Sequence, residues 1–280
     1  MRLFHPGEPI ALSDILPPLE KLGLRVLSEV PFMLGAAADE AGGAVSLQVL
    51  SVETVDKSAV ALDVAGPRFA ETLDRLWAGK LESDGFNRLV LGAGLDWREV
   101  AILRAYAKYL RQAGIAFSQD YMEATLAAYP SFARGFADLF VARLDPALGE
   151  ARGADRLARI AAVETTISTA FDAVATLDED RILRRFLSAI RCTLRTNVWQ
   201  AGSDGTLKDW MSFKIDSRAI DELPTPRPLV EIFVYSPRME GIHLRGGRVA
   251  RGGIRWSDRR EDFRTEILGL MKAQNVKNTV

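Results

Sequence analysis

The stretch from Leu244 to Val280, LRGGRVARGGIRWSDRREDFRTEILGLMKAQNVKNTV, predicts a glycine-flanked basic strand that leads into a capped helix. Glycine pairs at 246–247 and 252–253 lack a Cβ atom, so a ligand or another backbone can approach closely there. Asp258 and Glu261 have capping-box spacing, which predicts a helix of about five turns from Ser257 to Lys277. The predicted buried face of this helix consists of Phe263, Ile267, Leu270 and Met271.

The dimensions of this strand and helix allow two cations to meet. The extended chain from Arg251 to Ser257 covers roughly 20 Å, and the helix from Asp258 to Lys277 covers about 28 Å. If the helix folds back antiparallel on the strand, Lys277 returns to the neighbourhood of Arg251. Two separated cations could then hold the two carboxylates of one small dicarboxylic acid. The spacing permits this arrangement without requiring it.

The same residues carry a family resemblance. Arg251-Gly-Gly-Ile-Arg-Trp256 resembles the K-G-G-[LI]-R-aromatic motif of amino-acid dehydrogenases, and Lys272-Ala-Gln-Asn-Val-Lys277 is similar to their helix with a second substrate lysine. Arginine at the first position, with its surroundings, resembles one subgroup, the large NAD-specific glutamate dehydrogenases. The resemblance covers most of the chain. Its further matches are residues 24–27, 178–187, 194–197 and 235–243.

The resemblance implies a substrate site with named roles. Arg251 would bind the side-chain carboxylate of L-glutamate, and Lys277 would bind the α-carboxylate. Gly252 and Gly253 would let the substrate approach the backbone, while Arg255 would either assist or pair with a nearby acid. Arginine replaces the lysine of the wider motif at position 251, which changes the geometry because a planar guanidinium fork is not a point charge.

The resemblance also implies that catalysis and coenzyme binding occur outside this chain. The parent enzyme would use NAD to oxidise L-glutamate to 2-oxoglutarate and ammonia, with a catalytic lysine and a coenzyme domain that follow Lys277. Gly92-Ala-Gly94 is the nearest candidate for a dinucleotide turn and lacks the third glycine. The sequence ends at Val280 without a stop signal. We therefore expect a fragment that contains no catalytic or cofactor-binding residue and is inactive alone.

Composition places the chain among ordinary folded proteins, because it is 48% apolar and 26% charged with a net charge of −1. No apolar run approaches the ~18 residues of a membrane-spanning helix, so no membrane partner is expected. The single cysteine, Cys192, excludes an internal disulfide and favours the cytoplasm. Its helical apolar surroundings predict a buried thiol rather than a nucleophile. His5 and His243 are too few and too far apart for a metal site, so no metal is expected.

Residues 1–85 predict an α+β domain. A helix at 13–22, strands at 24–30 and 45–50, and a helix marked by Phe69 and Leu73 alternate as in a small sandwich. The arrangement resembles an ACT-type regulatory module, which implies an amino-acid effector. The alternative is a packing or spacer domain that has no ligand.

Residues 86–196 predict an all-α connector. Three apolar stripes recur at helical spacing, and they favour a packed core without chemistry of its own. The helix of the third stripe opens with acids at 178–180, which suit its positive end. The stripes are Phe132, Phe136, Leu139, Phe140 and Leu144; Leu157, Ile160, Ile167, Phe171 and Val174; and Ile182, Phe186, Ile190 and Leu194.

Residues 197–280 predict the start of an α/β dehydrogenase substrate domain. The hydrophobic period changes to two at 211–215, and further strands follow at 229–235 and 241–245 before the helix that ends at Lys277. Three strands and a helix in this order resemble the opening of the substrate-binding domain of a dehydrogenase.

Two other classes of function stay open. One is a non-catalytic module for amino-acid sensing or assembly, in which residues 1–85 bind the ligand. The other uses the basic strand and helix N-terminus to contact phosphate or RNA. The resemblance instead implies L-glutamate and 2-oxoglutarate as the small-molecule partners, a homo-oligomeric parent enzyme and no nucleic-acid partner.

Overall fold

The structure of this protein is a computed structural model that describes residues 1–35, 44–148, 153–220, 223–247 and 262–277, with side chains to residue 273 in the last range. The chain divides into two compact units, Met1–Trp97 and Arg98–Val280. Helices form the middle of the chain, and strands lie towards both ends, as the sequence predicts.

The first unit contains a three-stranded antiparallel sheet and two longer helices. Its strands are β1 (Arg2–Pro6), β2 (Leu24–Leu34) and β3 (Val45–Thr54), in the spatial order β1-β3-β2. Its helices are α1 (Leu12–Lys21), α2 (Leu62–Trp77), a 3₁₀ turn (Gly85–Arg88) and the short α3 (Leu89–Gly92). Two predicted strands are confirmed and extend further than expected, whereas β1 was not predicted.

Helix α1 packs against β2 through an apolar stripe. Ile15, Leu19 and Leu22 are fully buried, because spacings of four and three residues place them on one helical face. Pro17 and Pro18 lie inside this helix. The helix predicted at 13–22 is confirmed, because α1 spans Leu12–Lys21.

The second unit begins with five longer helices. These are α4 (Trp97–Gln112), α5 (Gln119–Ala128), α6 (Pro130–Leu144), α7 (Gly153–Ala170) and α8 (Leu177–Arg191), with 3₁₀ turns at Pro146–Leu148 and Phe171–Ala173. The predicted stripe of α6 is buried from Phe132 to Phe140. In the predicted stripe of α7, Ile167 is buried, and Ile160, Phe171 and Val174 are half-buried. Only Leu157, which is 68% exposed, departs from the prediction.

Helix α8 begins with a capping box between Thr176 and Glu179. Each side chain bonds the backbone N–H of the other, which satisfies two donors that have no partner within the helix. Ile182, Phe186 and Ile190 are buried as predicted. Leu194 was predicted on the same stripe but is 52% exposed, since the helix has ended and the residue lies in a strand.

A four-stranded antiparallel sheet and one helix complete the second unit. The strands are β4 (Thr193–Thr196), β5 (Met211–Ile215), β6 (Val230–Ser236) and β7 (Met239–Arg245), in that spatial order, and the helix is α9 (Phe263–Lys277). Strands β5 to β7 occupy the predicted segments. Helix α9 packs against β7. The predicted start of this helix, at Ser257 or Asp258, lies outside the described residues.

Candidate functional site

The predicted substrate clamp lies mostly outside the described residues. Arg251, Gly252, Gly253 and Arg255 fall within 248–261, which the structure does not describe. Lys277 is the last residue of α9, and its side chain is likewise not described. The clamp therefore stays a prediction, and the described part of the site is the frame formed by the sheet, α4 and α9.

One face of the four-stranded sheet is largely apolar and includes the buried carboxylate of Glu231. Phe213, Phe233 and Ile242 pair across β5, β6 and β7 and are all buried. The next row places Glu231 between the buried Ile215 and Leu244. Paired residues of antiparallel strands point to the same side of a sheet, so Glu231 points into the core.

Helix α4 covers this face with its aromatic side chains. Ring centroids lie 5.2 Å apart for Tyr106 and Phe213 and 5.7 Å apart for Tyr109 and Phe233. The Tyr106 hydroxyl shares a 2.6 Å hydrogen bond with the hydroxyl of Thr193. Helix α4 is thus fixed to the sheet by tilted ring contacts and by a buried polar contact.

Helix α9 buries most of its predicted apolar face. Phe263, Ile267 and Met271 are buried as predicted. Leu270 is 36% exposed, and Leu268 takes a buried position instead. The stripe was therefore right in period and wrong at one position, because residues 267 and 268 both face the core.

An ionic cluster joins the beginning of α9 to β6 and α4. The guanidinium of Arg264 donates to both carboxylate oxygens of Glu231, with Nε–Oε2 at 2.9 Å and Nη2–Oε1 at 2.5 Å. Tyr109 donates its hydroxyl to Glu231 Oε2 at 3.2 Å. The backbone N–H of Arg264 donates to Gln112 Oε1 at 3.1 Å. Glu231 is 0% exposed and Arg264 is 3% exposed, so the pair lies in the protein interior.

The electrostatics of the cluster shift the pKa values of Tyr109 and Arg264. Burial raises the pKa of the Tyr109 phenol well above its ordinary value, and the charge of Glu231 raises it further. Burial lowers the pKa of the Arg264 guanidinium, but the hydrogen bonds and charge of Glu231 outweigh this effect, so the pKa is raised overall. Tyr109 therefore remains a neutral donor, and Arg264 remains a cation.

Sequence analysis missed this cluster. Arg264 lies in a segment where arginines alternate with acids, a pattern typical of a helix surface, but it is paired inside the protein. A signal was present in β6, since a period of two places Glu231 on the same face as Phe233 and Tyr235. A carboxylate on such a face needs a buried cation, although the sequence does not say which one.

The first unit contains a cavity of about 880 Å³ between β3 and α2. Leu50, Val52 and Phe69 contribute apolar walls, and Lys57 and Glu53 are among its polar lining residues. Glu53 Oε1 lies 3.5 Å from Arg25 Nη1. A cavity with apolar walls and separate positive and negative groups suits a small amphiphilic ligand.

The glycines at 92 and 94 and the cysteine at 192 form no further site among the described residues. Gly92 is the last residue of α3 and Gly94 lies between α3 and α4, so the two glycines do not connect a strand to a helix. Arg68 donates to the Gly94 carbonyl at 3.0 Å. Cys192 is buried, as predicted. Among the described residues, no cluster of histidine, cysteine and acidic side chains could hold a metal ion. No helix in the described ranges is both long and apolar enough to cross a membrane.

Three family models match the chain in succession. Residues 1–65 match the ACT3 domain of glutamate dehydrogenase, and residues 81–146 match its helical motif 3. Residues 166–280 match the catalytic domain of bacterial NAD-glutamate dehydrogenase. The three matches follow the order of the predicted regions.

Curated relatives match over the whole chain. NAD-specific glutamate dehydrogenase from Halomonas elongata is 48% identical over 280 residues, and that from Pseudomonas aeruginosa is 47% identical over 279 residues. The protein of the same name from Mycobacterium tuberculosis is 48% identical over 282 residues. The chain spans 17% of the length of each relative. The predicted family is confirmed.

Proposed function

We propose that this chain, which belongs to the family of NAD-specific glutamate dehydrogenases, is part of an enzyme that oxidises L-glutamate to 2-oxoglutarate and ammonia. NAD would accept the hydride, and water would supply the keto oxygen. The observation that carries this proposal is the identity of about one residue in two along the entire chain to relatives with that name.

The three regions would divide the work of the enzyme. Residues 1–85 would form an ACT-like module, 86–196 a helical connector, and 197–280 the opening of the α/β substrate domain. The sheet of β1–β3, the helices α4–α8 and the strands β5–β7 with α9 support this division. Strand β4, which pairs with β5, lies just before the proposed boundary at residue 196. The NAD-binding site and the catalytic lysine would lie in parts of the enzyme outside these 280 residues.

Substrate would be held by the clamp that the resemblance implies. Arg251 would bind the side-chain carboxylate and Lys277 the α-carboxylate, with Gly252 and Gly253 close to the bound glutamate and Arg255 beside it. Support comes from the position of Lys277 at the end of α9, whose first turn is fixed by the pair between Arg264 and Glu231. A bidentate arginine matches a carboxylate geometrically, so Arg251 suits a carboxylate of the substrate.

An assay of the full-length enzyme tests the proposed reaction. NADH formation should depend on L-glutamate and should release one ammonia per NADH, whereas L-aspartate should support little turnover. If another amino acid supports NADH formation and L-glutamate does not, the proposed substrate is wrong.

A second proposal concerns an amino-acid effector of the first unit, and the cavity between β3 and α2 favours it. An Arg251→Ala variant would weaken binding at the catalytic site, so the amino-acid binding that remains would report on the cavity. Val52→Trp, which fills the cavity from β3, should then abolish that binding. Binding that Val52→Trp leaves unchanged would refute the cavity as an effector site.

The homo-oligomeric assembly and the cytoplasmic location remain predictions.

A further inference from the structure

Two side chains of α4 form hydrogen bonds to residues that hold the first turn of α9. Gln112 accepts a hydrogen bond from the backbone N–H of Arg264. The Tyr109 hydroxyl donates to the carboxylate of Glu231, which also binds the Arg264 guanidinium. Arg264 is the second residue of α9, so its N–H has no partner within the helix. Gln112 therefore performs from a distance what an N-cap side chain usually performs locally.

The contact is resistant to small movements. Tyr109, Gln112, Glu231 and Arg264 are all buried. Separation of Glu231 from Arg264 would leave a charge in the protein interior without a partner, and this state is strongly disfavoured. Because both guanidinium–carboxylate bonds must be kept, rotation of α9 about its own axis is disfavoured as well. The cluster thus fixes both the position and the rotation of the first turn.

Lys277 lies at the other end of the same helix. Phe263 to Lys277 corresponds to about 21 Å at about 1.5 Å per residue. A helix is stiff over this length, so a tilt of roughly 5° at the first turn displaces its last residue by about 2 Å. Displacements of about 1 Å in a positioning group can change rates by about a hundredfold. The position of Lys277 therefore depends on how firmly the first turn of α9 is held.

We propose that Tyr109 and Gln112 are positioning residues for the glutamate site, acting through Glu231 and Arg264 on the helix that carries Lys277. This inference rests on the proposed function, because it assumes that Lys277 binds substrate. The helical segment 98–112, for which the sequence predicts only a packed core, would then contribute to substrate affinity indirectly, through α9.

The chain provides a matched control within α4. Tyr106 lies one turn before Tyr109, is also fully buried and also makes one buried hydroxyl hydrogen bond. That bond goes to Thr193 rather than to the cluster that holds α9. Tyr106→Phe and Tyr109→Phe therefore remove the same atom from the same helix, and only Tyr109→Phe acts on the beginning of α9.

The experiment compares Tyr109→Phe, Gln112→Leu and Tyr106→Phe in the full-length enzyme. Tyr109→Phe and Gln112→Leu should raise the KM for glutamate about fivefold or more, with a smaller change in kcat and an unchanged KM for NAD. Tyr106→Phe should leave the KM for glutamate within about twofold of the wild type. Equal KM values in the two tyrosine variants would overturn the proposal.

Hydrogen exchange provides a readout that does not depend on activity. Amides of α9 should exchange faster in Tyr109→Phe and Gln112→Leu than in Tyr106→Phe. Unchanged exchange would overturn the proposed coupling between α4 and α9. Faster exchange with an unchanged KM for glutamate would overturn the positioning role alone. A wild-type enzyme that does not oxidise glutamate would instead refute the proposed function, and the positioning role would fall with it.

Discussion

Arg264 of α9 and Glu231 of β6 form a bidentate ion pair in the protein interior, with Nε–Oε2 at 2.9 Å and Nη2–Oε1 at 2.5 Å. The two residues are far apart in the chain, and the pair connects a strand of the sheet to the helix that ends at Lys277. Tyr109 adds a third hydrogen bond to the carboxylate, so the pair is also a junction with α4.

Loss of one partner of this pair should destabilise the protein strongly. Glu231→Gln and Arg264→Met should each lower the free energy of unfolding by about 3–5 kcal/mol, because each leaves a buried charge without its partner. The double variant Glu231→Gln/Arg264→Met should lose less than the sum of the two single changes. Chemical denaturation of the 280-residue chain measures both quantities.

The pair between Arg134 and Glu99 is the matched control. It also joins two segments of the second unit, but the Arg134 side chain is 34% exposed. Arg134→Met should therefore cost only about 1 kcal/mol or less. If Arg264→Met costs no more than Arg134→Met, the buried pair does not hold α9.

Two buried tyrosines should make the protein less stable in alkali. Burial raises the pKa of the Tyr106 and Tyr109 phenols above the ordinary value, so above about pH 10 an unfolded chain loses protons that the folded chain retains. The free energy of unfolding should therefore be unaffected by these groups below about pH 10 and should fall as the pH rises further.

Tyrosine to phenylalanine variants isolate this effect. Tyr106→Phe and Tyr109→Phe should each reduce the alkaline loss of stability by up to about 1.4 kcal/mol per pH unit. Urea denaturation from about pH 9 to about pH 11 provides the slopes. Identical slopes in the wild type and both variants would show that these phenols ionise equally in the folded and unfolded chains.

Two helical glycines should respond to alanine in opposite directions. A Cβ at Gly135 of α6 would lie 2.9 Å from Ile167 Cγ1, so Gly135→Ala should destabilise the contact between α6 and α7. A Cβ at Gly269 of α9 would meet no atom of the described residues within 4 Å, so Gly269→Ala should add about 0.5–1 kcal/mol of stability. Thermal melts of both variants would test this, and a stabilising Gly135→Ala would contradict the close packing.

Local signals in the sequence were enough to predict several elements. The acids at 178–180 indicated the start of α8. The apolar residues at helical spacing after them, Ile182, Phe186 and Ile190, form its buried face. The alternation at 211–215 indicated β5. These features depend on periodicity within one element, which a sequence contains in full.

Features that depend on neighbouring elements could not be predicted in the same way. Leu157 shares a helical face with Ile167, but only Ile167 is covered by α6. Gln112 and Arg264 are separated by 152 positions, and no local pattern relates them. Periodicity shows which residues share a face, whereas the partner of a buried charge is set by the tertiary fold. The clamp residues from Arg251 to Arg255 were predicted from a motif and lie outside the described residues.

The substrate clamp makes a kinetic prediction for the full-length enzyme. Arg251→Ala and Lys277→Ala should each raise the KM for glutamate about tenfold or more, because each removes a cation that faces a carboxylate. The KM for NAD should change little, since the coenzyme would bind elsewhere. Steady-state kinetics with each substrate varied separately would test this, and an unchanged KM for glutamate in both variants would remove the clamp assignment.

The most direct measurement compares glutamate with norvaline, which has the same five carbons and α-carboxylate but no side-chain carboxylate. Arg251→Ala should reduce the ratio of kcat/KM for glutamate to kcat/KM for norvaline by about a hundredfold, because only glutamate uses the Arg251 cation. Lys277→Ala should lower kcat/KM for both substrates alike and leave the ratio nearly unchanged. If Arg251→Ala instead weakens both substrates equally, Arg251 does not bind the side-chain carboxylate, and the two-cation account of this site is wrong.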